Sequence, residues 1–279
     1  MTGRELVLTG VPRSGTTLCC QLLGRAANTV ALFEPMKVHE LSLDRGAAIA
    51  QVRDFFAESR EEILRSGRAR SQQIGGKVPD NPIAASYAGS HRARLAELGE
   101  ISVDKPLRED FTLVVKHNAA FTALLPDIAD AFDCHALVRN PLSVLASWNS
   151  VDLPVAKGRL PAGERLDLRL AAQLDAEPDL LGRQLLILDW IFGRFSKFIP
   201  PHRILRYEHV VESSAAELAR ITGVPVPSTD LHSRNSNRLY DADACRRYAA
   251  ALCASGGNWQ EFYQVADVDS ALDALVGSR

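Results

Sequence analysis

Residues 6–23, LVLTGVPRSGTTLCCQLL, decide the fold. The stretch opens as an unbroken apolar run, breaks at Gly10-Val11-Pro12, and resumes with apolar residues at helical spacing. Its glycines stand as Gly10-x-x-x-x-Gly15, followed by Thr16 and Thr17. A buried strand, a glycine-containing loop and a helix in that order form the frame of a phosphate-binding loop. Backbone N–H groups of such a loop converge with the helix N-terminus on an anion. The lysine that follows the second glycine in nucleotide triphosphatases is absent; Thr16 stands there and Arg13 has entered the loop.

Further apolar runs end in the same abrupt way. TVALFEP ends at Glu34, FTLVVKHN at Lys116 and His117, CHALVRNP at Arg139, and RILRYEHV at Tyr207 and Glu208. Runs without polar alternation, separated by helical patterns, read as buried parallel strands. Ligands of open α/β sheets bind beyond the carboxyl ends of the strands, so these polar endings are expected to meet in one crevice. The expected fold is a single P-loop-like α/β domain over 1–279, with a central, mostly parallel sheet flanked by helices. Helices are expected over 46–64 and 181–198 from their apolar spacing. Segments 67–110 and 151–180, rich in Gly, Pro and Arg, read as irregular insertions, either lids or substrate loops or plain surface decoration.

Composition narrows the partners. The 279 residues carry a formal charge of −2, with 46% hydrophobic and 24% charged residues. Such a chain has no global attraction for nucleic acid, so any anion site has to be built locally. No apolar run approaches a membrane span, and the first strand at Leu6 leaves no room for a signal peptide before it. Five cysteines without Cys-x-x-Cys spacing suggest reduced thiols in a cytoplasmic protein, with no metal site expected.

Arg13 is a permanent, forked cation suited to anionic oxygens, and no apolar strand ends in the clean aspartate that a magnesium site would need. A second motif, LVRNPLSVLASW, places Arg139 at a strand end, Asn140 and Pro141 at a helix start, and Ser147 eight residues after Arg139. Together GVPRSGTTL and this motif resemble sulfotransferases that use 3′-phosphoadenosine 5′-phosphosulfate (PAPS). The Pro-Arg-Ser-Gly-Thr-Thr form is most similar to tyrosylprotein and many bacterial members; small-molecule members carry lysine at the Arg13 position.

The resemblance implies that Pro12, Arg13, Ser14, Gly15, Thr16 and Thr17 hold the 5′-phosphosulfate and that Arg139 and Ser147 grip the 3′-phosphate. It further implies Tyr207 against the adenine, and Gly257 with Trp259 in a C-terminal loop closing over the 3′-phosphate. The Arg-Lys-Gly that usually precedes that loop is missing; Arg234 and Arg238 are the candidates to replace its charge. Lys116 resembles the family's catalytic lysine, and Glu34, 21 residues after Arg13, resembles the glutamate base of tyrosylprotein members. His117 is the rival base, although the small-molecule spelling is Lys-x-His and here the two residues are adjacent. Neighbours on an extended strand point to opposite sides, which favours Glu34 over His117. A carboxylate base is expected to titrate near or above pH 4, moved upward by burial, a histidine base nearer 6.5. The implied reaction moves a sulfuryl group to a hydroxyl or amine of an unidentified acceptor, a glycan or a small metabolite, and releases adenosine 3′,5′-bisphosphate. A P-loop kinase-like phosphotransferase and a non-catalytic nucleotide-binding module are the alternatives.

Overall fold

The computed structural model describes residues 3–87, 91–235 and 240–277. Five parallel strands form the central sheet: β1 (Glu5–Gly10), β2 (Thr29–Phe33), β5 (Thr112–Lys116), β6 (Asp133–Val138) and β7 (Ile204–Arg206). Their order across the sheet is β2-β5-β1-β6-β7. Alternate residues of the same strand serve opposite layers. Val7, Leu113, Val115 and Val138 pack into one core, whereas Leu6, Leu8, Val114 and Leu137 pack into the other. Both sheet faces are therefore covered, which is why the strands read as continuous apolar runs.

On the second core lie α1 (Thr16–Arg25), through Cys19, Leu22 and Leu23, and α9 (Ala216–Thr222), through Leu218. The larger core receives α2 (Arg45–Ser66), α3 (Ala119–Ile128), α4 (Pro141–Trp148), α7 (Leu180–Phe198) and α10 (Ala242–Ser255). The helices expected over 46–64 and 181–198 are α2 and α7. Asp44 and Asp179 cap them by accepting from Ala47 N–H and Gly182 N–H. The chain leaves β1 toward β2 and leaves β6 toward β7, in opposite directions across the sheet. That reversal opens a crevice at the carboxyl ends of β1 and β6.

The two segments read as irregular contain regular elements among the described residues. Within 67–110, β3 (Arg68–Gln73) and β4 (Glu97–Ser102) pair as an antiparallel ribbon. Ser71 Oγ accepts Phe33 N–H at 3.0 Å, which fastens the ribbon beside the end of β2. Within 151–180 lie α5 (Pro161–Leu166) and α6 (Leu168–Ala176). The prolines and glycines that suggested irregularity are helix punctuation. Pro154 and Pro161 each occupy the first turn of a helical segment, and Gly158 ends one with φ 65°. The remaining helices are α8 (Tyr207–Glu212) and α11 (Val265–Gly277). Among the described residues no helix is long and apolar enough to cross a membrane.

Candidate active site

The strand ends meet in a cavity of about 780 Å³, within the size range of small-molecule sites. Its floor is the loop between β1 and α1, and the loop's shape is enforced from outside. Trp148 Nε1 donates to Pro12 O at 2.8 Å, and Arg139 Nη1 donates to Arg13 O at 2.8 Å. With those carbonyls held outward, Arg13 sits at φ 71°, a costly conformation for a residue with a side chain. Gly10 admits no Cβ, because one would lie 2.4 Å from Thr16 Cγ2 and 2.6 Å from Leu137 O. Gly15, at φ 97°, precedes the first turn of α1 and gives it no side-chain cap. The opening N–H groups of a helix have no partner within it, so this end faces the cavity with its donors available.

Pro12, Arg13, Gly15, Thr16 and Thr17 all line the cavity. Ser14 does not: its hydroxyl donates to Leu137 O at 3.1 Å and its N–H to Val11 O at 3.0 Å, so it braces the loop from within. Arg139 and Ser147 line the same space, and Arg13 Nε donates to Ser147 Oγ at 3.3 Å. Asn235 accepts from Arg139 Nε at 2.7 Å while its own amide donates to Glu208 at 2.9 Å, which fixes the guanidinium plane. Arg139 Nη2 also donates to Arg234 O.

Cations dominate this end. Burial first, then the neighbouring Arg92, Arg139 and Arg234, pull Arg13 down to about 10, so it stays protonated at neutral pH. Among the described residues no carboxylate pairs with Arg13, Arg92 or Arg139, whereas Arg234 reaches Asp80 at 3.4 Å. Arg92 and Asn81 come from the 67–110 segment and were not legible as site residues. Asn81 Oδ1 accepts from Arg13 Nη1 at 3.2 Å.

The other end carries compensated charge. Lys116 Nζ, almost fully buried, donates to Glu34 Oε1 at 2.7 Å and lies 4.6 Å from the centre of the Phe33 ring. Arg94 approaches Glu34 Oε2 at 3.5 Å. Glu34, immediately after β2, has φ 43°, and its N–H continues the ladder by donating to Lys116 O at 2.8 Å. Burial alone would raise its carboxyl group. Lys116, His117 and Arg94 outweigh that and hold it near pKa 2, below the expected value near or above 4.

His117 faces the same cavity as Lys116, also contrary to expectation. Strand alternation stops at Lys116, where β5 ends, and the chain turns into α3. Its Nε2 accepts Met36 N–H at 3.0 Å, which puts the proton on Nδ1 and occupies the lone pair a base would use. Burial pushes His117 down to about 4 despite the nearby Glu34 carboxylate, so it is neutral at pH 7.

Three further expectations concern Tyr207, the Gly257–Trp259 segment and Arg238. Tyr207 lines the cavity, but its ring is packed. Arg139 lies 4.8 Å from the ring centre, a Cβ on Gly15 would come within 2.7 Å of the ring edge, and the phenol oxygen accepts Arg234 N–H. Gly257 and Trp259 are not brought to the cavity: that segment docks on α7, where Asp189 accepts Asn258 N–H at 2.7 Å. Arg238 lies outside the described residues. The buried thiols Cys19, Cys20 and Cys134 are held up near 12 by desolvation and are poor nucleophiles.

Beyond the Glu34–Lys116 pair the walls turn apolar. Met36, Val38, Leu153, Val155, Leu160 and Pro161 line this part, contributed by the segments after β2 and after α4 and by α5. Gln21 Oε1 and Asn118 Oδ1, on residues of the cavity wall, are buried acceptors without a partner among the described residues.

No family model matches the chain, and no curated protein matches it. Among solved structures, it is similar to a sulfotransferase from Alicyclobacillus acidocaldarius. Identity is 13%, over 100% of this chain and 98% of that one, with a TM-score of 0.44. It is also similar to the sulfotransferase STF1 from Mycobacterium tuberculosis H37Rv, at 12% identity over 99% and 77% of the two chains, with a TM-score of 0.36. Likenesses of that size do not bear on what this chain does.

Proposed function

We propose that this chain transfers a sulfuryl group from PAPS to the hydroxyl, or amine, of an acceptor with an apolar body. One observation carries the reading. Arg13 and Arg139, neither paired with a carboxylate among the described residues, flank Ser147 on a loop that has Thr16 where an ATP-binding loop has lysine. Uncompensated buried cations are costly unless an anion completes them, and two separated phosphates plus a sulfate suit this arrangement. The orphan acceptors of Gln21 and Asn118 fit a ligand that also brings donors, as an adenine amino group and an acceptor hydroxyl do.

PAPS would supply the sulfuryl group and a phosphate leaving group. Arg13, the hydroxyls of Thr16 and Thr17 and the N-terminus of α1 would hold its 5′ end; Arg139 and Ser147 would hold the 3′-phosphate. Glu34 is the base in this reading, because the Nε2 of His117 is spent on Met36 N–H. A carboxylate near pKa 2 is a poor base, yet Lys116 is a principal reason for that value. When Lys116 Nζ turns to leaving-group oxygens, Glu34 keeps the burial that raises its pKa and loses the strongest cation that lowers it. The acceptor proton then passes to the Glu34 carboxylate as the acceptor oxygen bonds to sulfur and the S–O bond to the phosphate breaks. Lys116 and Arg13 stabilise the charge that develops on the oxygens. The apolar wall of Met36, Leu153 and Leu160 would position the acceptor's body.

Calorimetry on the whole chain tests the cofactor. Adenosine 3′,5′-bisphosphate should bind about 30- to 1000-fold more tightly than AMP, the value of charge-assisted bonds to one more phosphate. Equal affinities overturn the reading. Transfer of label from PAPS to phenol, alcohol or sugar acceptors should persist in a chelator; magnesium-dependent ATP turnover would favour a kinase.

A further inference from the structure

Arg92 was no part of either loop motif, and it comes from the segment that composition marked as insertion. The structure nonetheless buries it to 5% exposure at the cavity wall. Its guanidinium is anchored through Ser150, while Asp152 N–H donates to the Arg92 carbonyl at 3.1 Å. Arg92 Nη2 donates to Ser150 Oγ at 2.7 Å, its Nε reaches Ser150 O at 3.4 Å, and its backbone N–H donates to Ser150 O at 3.1 Å. Ser150 Oγ in turn donates to Ser147 O at 2.9 Å. The guanidinium is thus tied through Ser150 to the backbone carbonyl of Ser147, the residue whose hydroxyl accepts from Arg13.

Among the described residues no carboxylate pairs with Arg92, and Nη1 makes no hydrogen bond. Arg92 and Arg13 line the same cavity, and Arg92 is close enough to Arg13 to help depress its pKa. Like charges brought together at a cavity wall destabilise the empty protein and gain when an anion sits between them. Meanwhile the C-terminal Gly257–Trp259 segment, which the resemblance placed over the 3′-phosphate and which carries no cation of its own, is docked on α7 and does not line the cavity; Arg234, a candidate for the missing charge, does line it but is paired with Asp80 at 3.4 Å.

We propose that Arg92 is a phosphate ligand in this chain, supplying on the Ser147 side part of the positive charge left missing by the absent Arg-Lys-Gly. The proposal rests on the assignment of Arg139 and Ser147 to a 3′-phosphate. Ser150 is then a positioning residue: it aims Arg92 without touching the anion. The 67–110 segment acquires a purpose that its composition did not reveal, because its ribbon fastens to β2 while its inner turn delivers a cation to the nucleotide.

The experiment titrates adenosine 3′,5′-bisphosphate and AMP into the wild-type chain and into Arg92→Ala, Arg92→Lys and Ser150→Ala. Arg92→Ala should lose about 10- to 100-fold in affinity for the bisphosphate and less than about 2-fold for AMP. Arg92→Lys should recover part of that loss, since the charge returns without the fork. Ser150→Ala keeps the charge and frees its anchor, so a loss of about 3- to 10-fold, again confined to the bisphosphate, is expected. This last variant carries the test if Arg92→Ala fails to fold. A wild type that prefers the bisphosphate, with variants that keep the preference, overturns the role of Arg92 and spares the Arg139–Ser147 assignment. Equal losses for both nucleotides, or a loss confined to acceptor KM, overturn it as well. A wild type with no preference removes both assignments together.

Discussion

The two ends of the cavity handle charge in opposite ways. Around Ser147, Arg13, Arg92 and Arg139 stand without carboxylates among the described residues, and their hydrogen bonds go to hydroxyls, amides and backbone carbonyls. Around Glu34 the cations have a carboxylate partner: Lys116 at 2.7 Å and Arg94 at 3.5 Å share the Glu34 carboxylate between them. An uncompensated cluster is a binding device, since its electrostatic strain is relieved by the ligand alone. A compensated pair is an exchange device, since a new anion has to displace the old one before either member can act. Binding and chemistry are therefore expected to separate cleanly under mutation.

The largest expected effect tests the exchange end. Glu34→Gln keeps the shape and a hydrogen-bond acceptor for Lys116 but cannot take a proton. Turnover should fall about 10²- to 10⁴-fold, with affinity for adenosine 3′,5′-bisphosphate retained or improved because Lys116 is released. His117→Asn should cost far less, since its ring holds Met36 N–H and packs edge-on against Phe121. Single-turnover transfer measurements decide it. Near-full activity of Glu34→Gln beside a dead His117→Asn would reverse the assignment.

Next in size is the binding end. Arg139→Ala should remove most of the preference for the bisphosphate over AMP, about 30- to 1000-fold, in the same titrations. A loss confined to turnover would break the distinction between the two ends.

What the sequence made legible follows from what is local. The loop, its helix, the five strands and the positions of Arg13, Glu34, Lys116, Arg139 and Ser147 are set by runs of consecutive residues, and all reach the cavity. Ser14 was misjudged because its hydroxyl is claimed by Leu137 O, a contact 123 residues away. Arg92, Asn81 and Asn235 stayed invisible for the same reason: their roles depend on Ser150, Arg13 and Glu208, which no spacing rule connects to them. The 151–180 segment was misread because Pro and Gly start and stop short helices as readily as they fill loops. The value expected for Glu34 came out too high because burial is legible in the pattern, whereas its pairing with Lys116, 82 residues away, is set by the adjacency of β2 and β5.

A smaller effect concerns stability without ligand. Glu34→Gln leaves the Lys116 ammonium buried and without its counter-charge. Removing one partner from a fully buried pair costs about 3–5 kcal/mol; Glu34 is partly open, so about 1–3 kcal/mol is expected. Saturating adenosine 3′,5′-bisphosphate should narrow that gap between variant and wild type, because its phosphate takes over as the counter-charge. Urea unfolding with and without nucleotide reads both quantities. An unchanged gap would mean that the nucleotide leaves Lys116 alone.

The smallest effect is the pH dependence of that same stability, and its sign can be worked through. Both groups have depressed pKa values in the folded protein: His117 about 4 against an ordinary 6.5, Glu34 about 2 against 4.5. In each case the unfolded chain binds the proton first, so stability falls as pH falls. The His117 contribution is complete above 6.5 and lost on the way down to 4; that of Glu34 is complete above 4.5 and lost on the way down to 2. Wild type should therefore weaken in two stages, each of roughly 1–3 kcal/mol. His117→Asn should flatten the upper stage and leave the lower, while Glu34→Gln should do the reverse. Urea midpoints at intervals from pH 7.5 to 3 measure this. An upper stage that survives in His117→Asn would mean that the imidazole is not held neutral against Met36, and His117 would return as a candidate base.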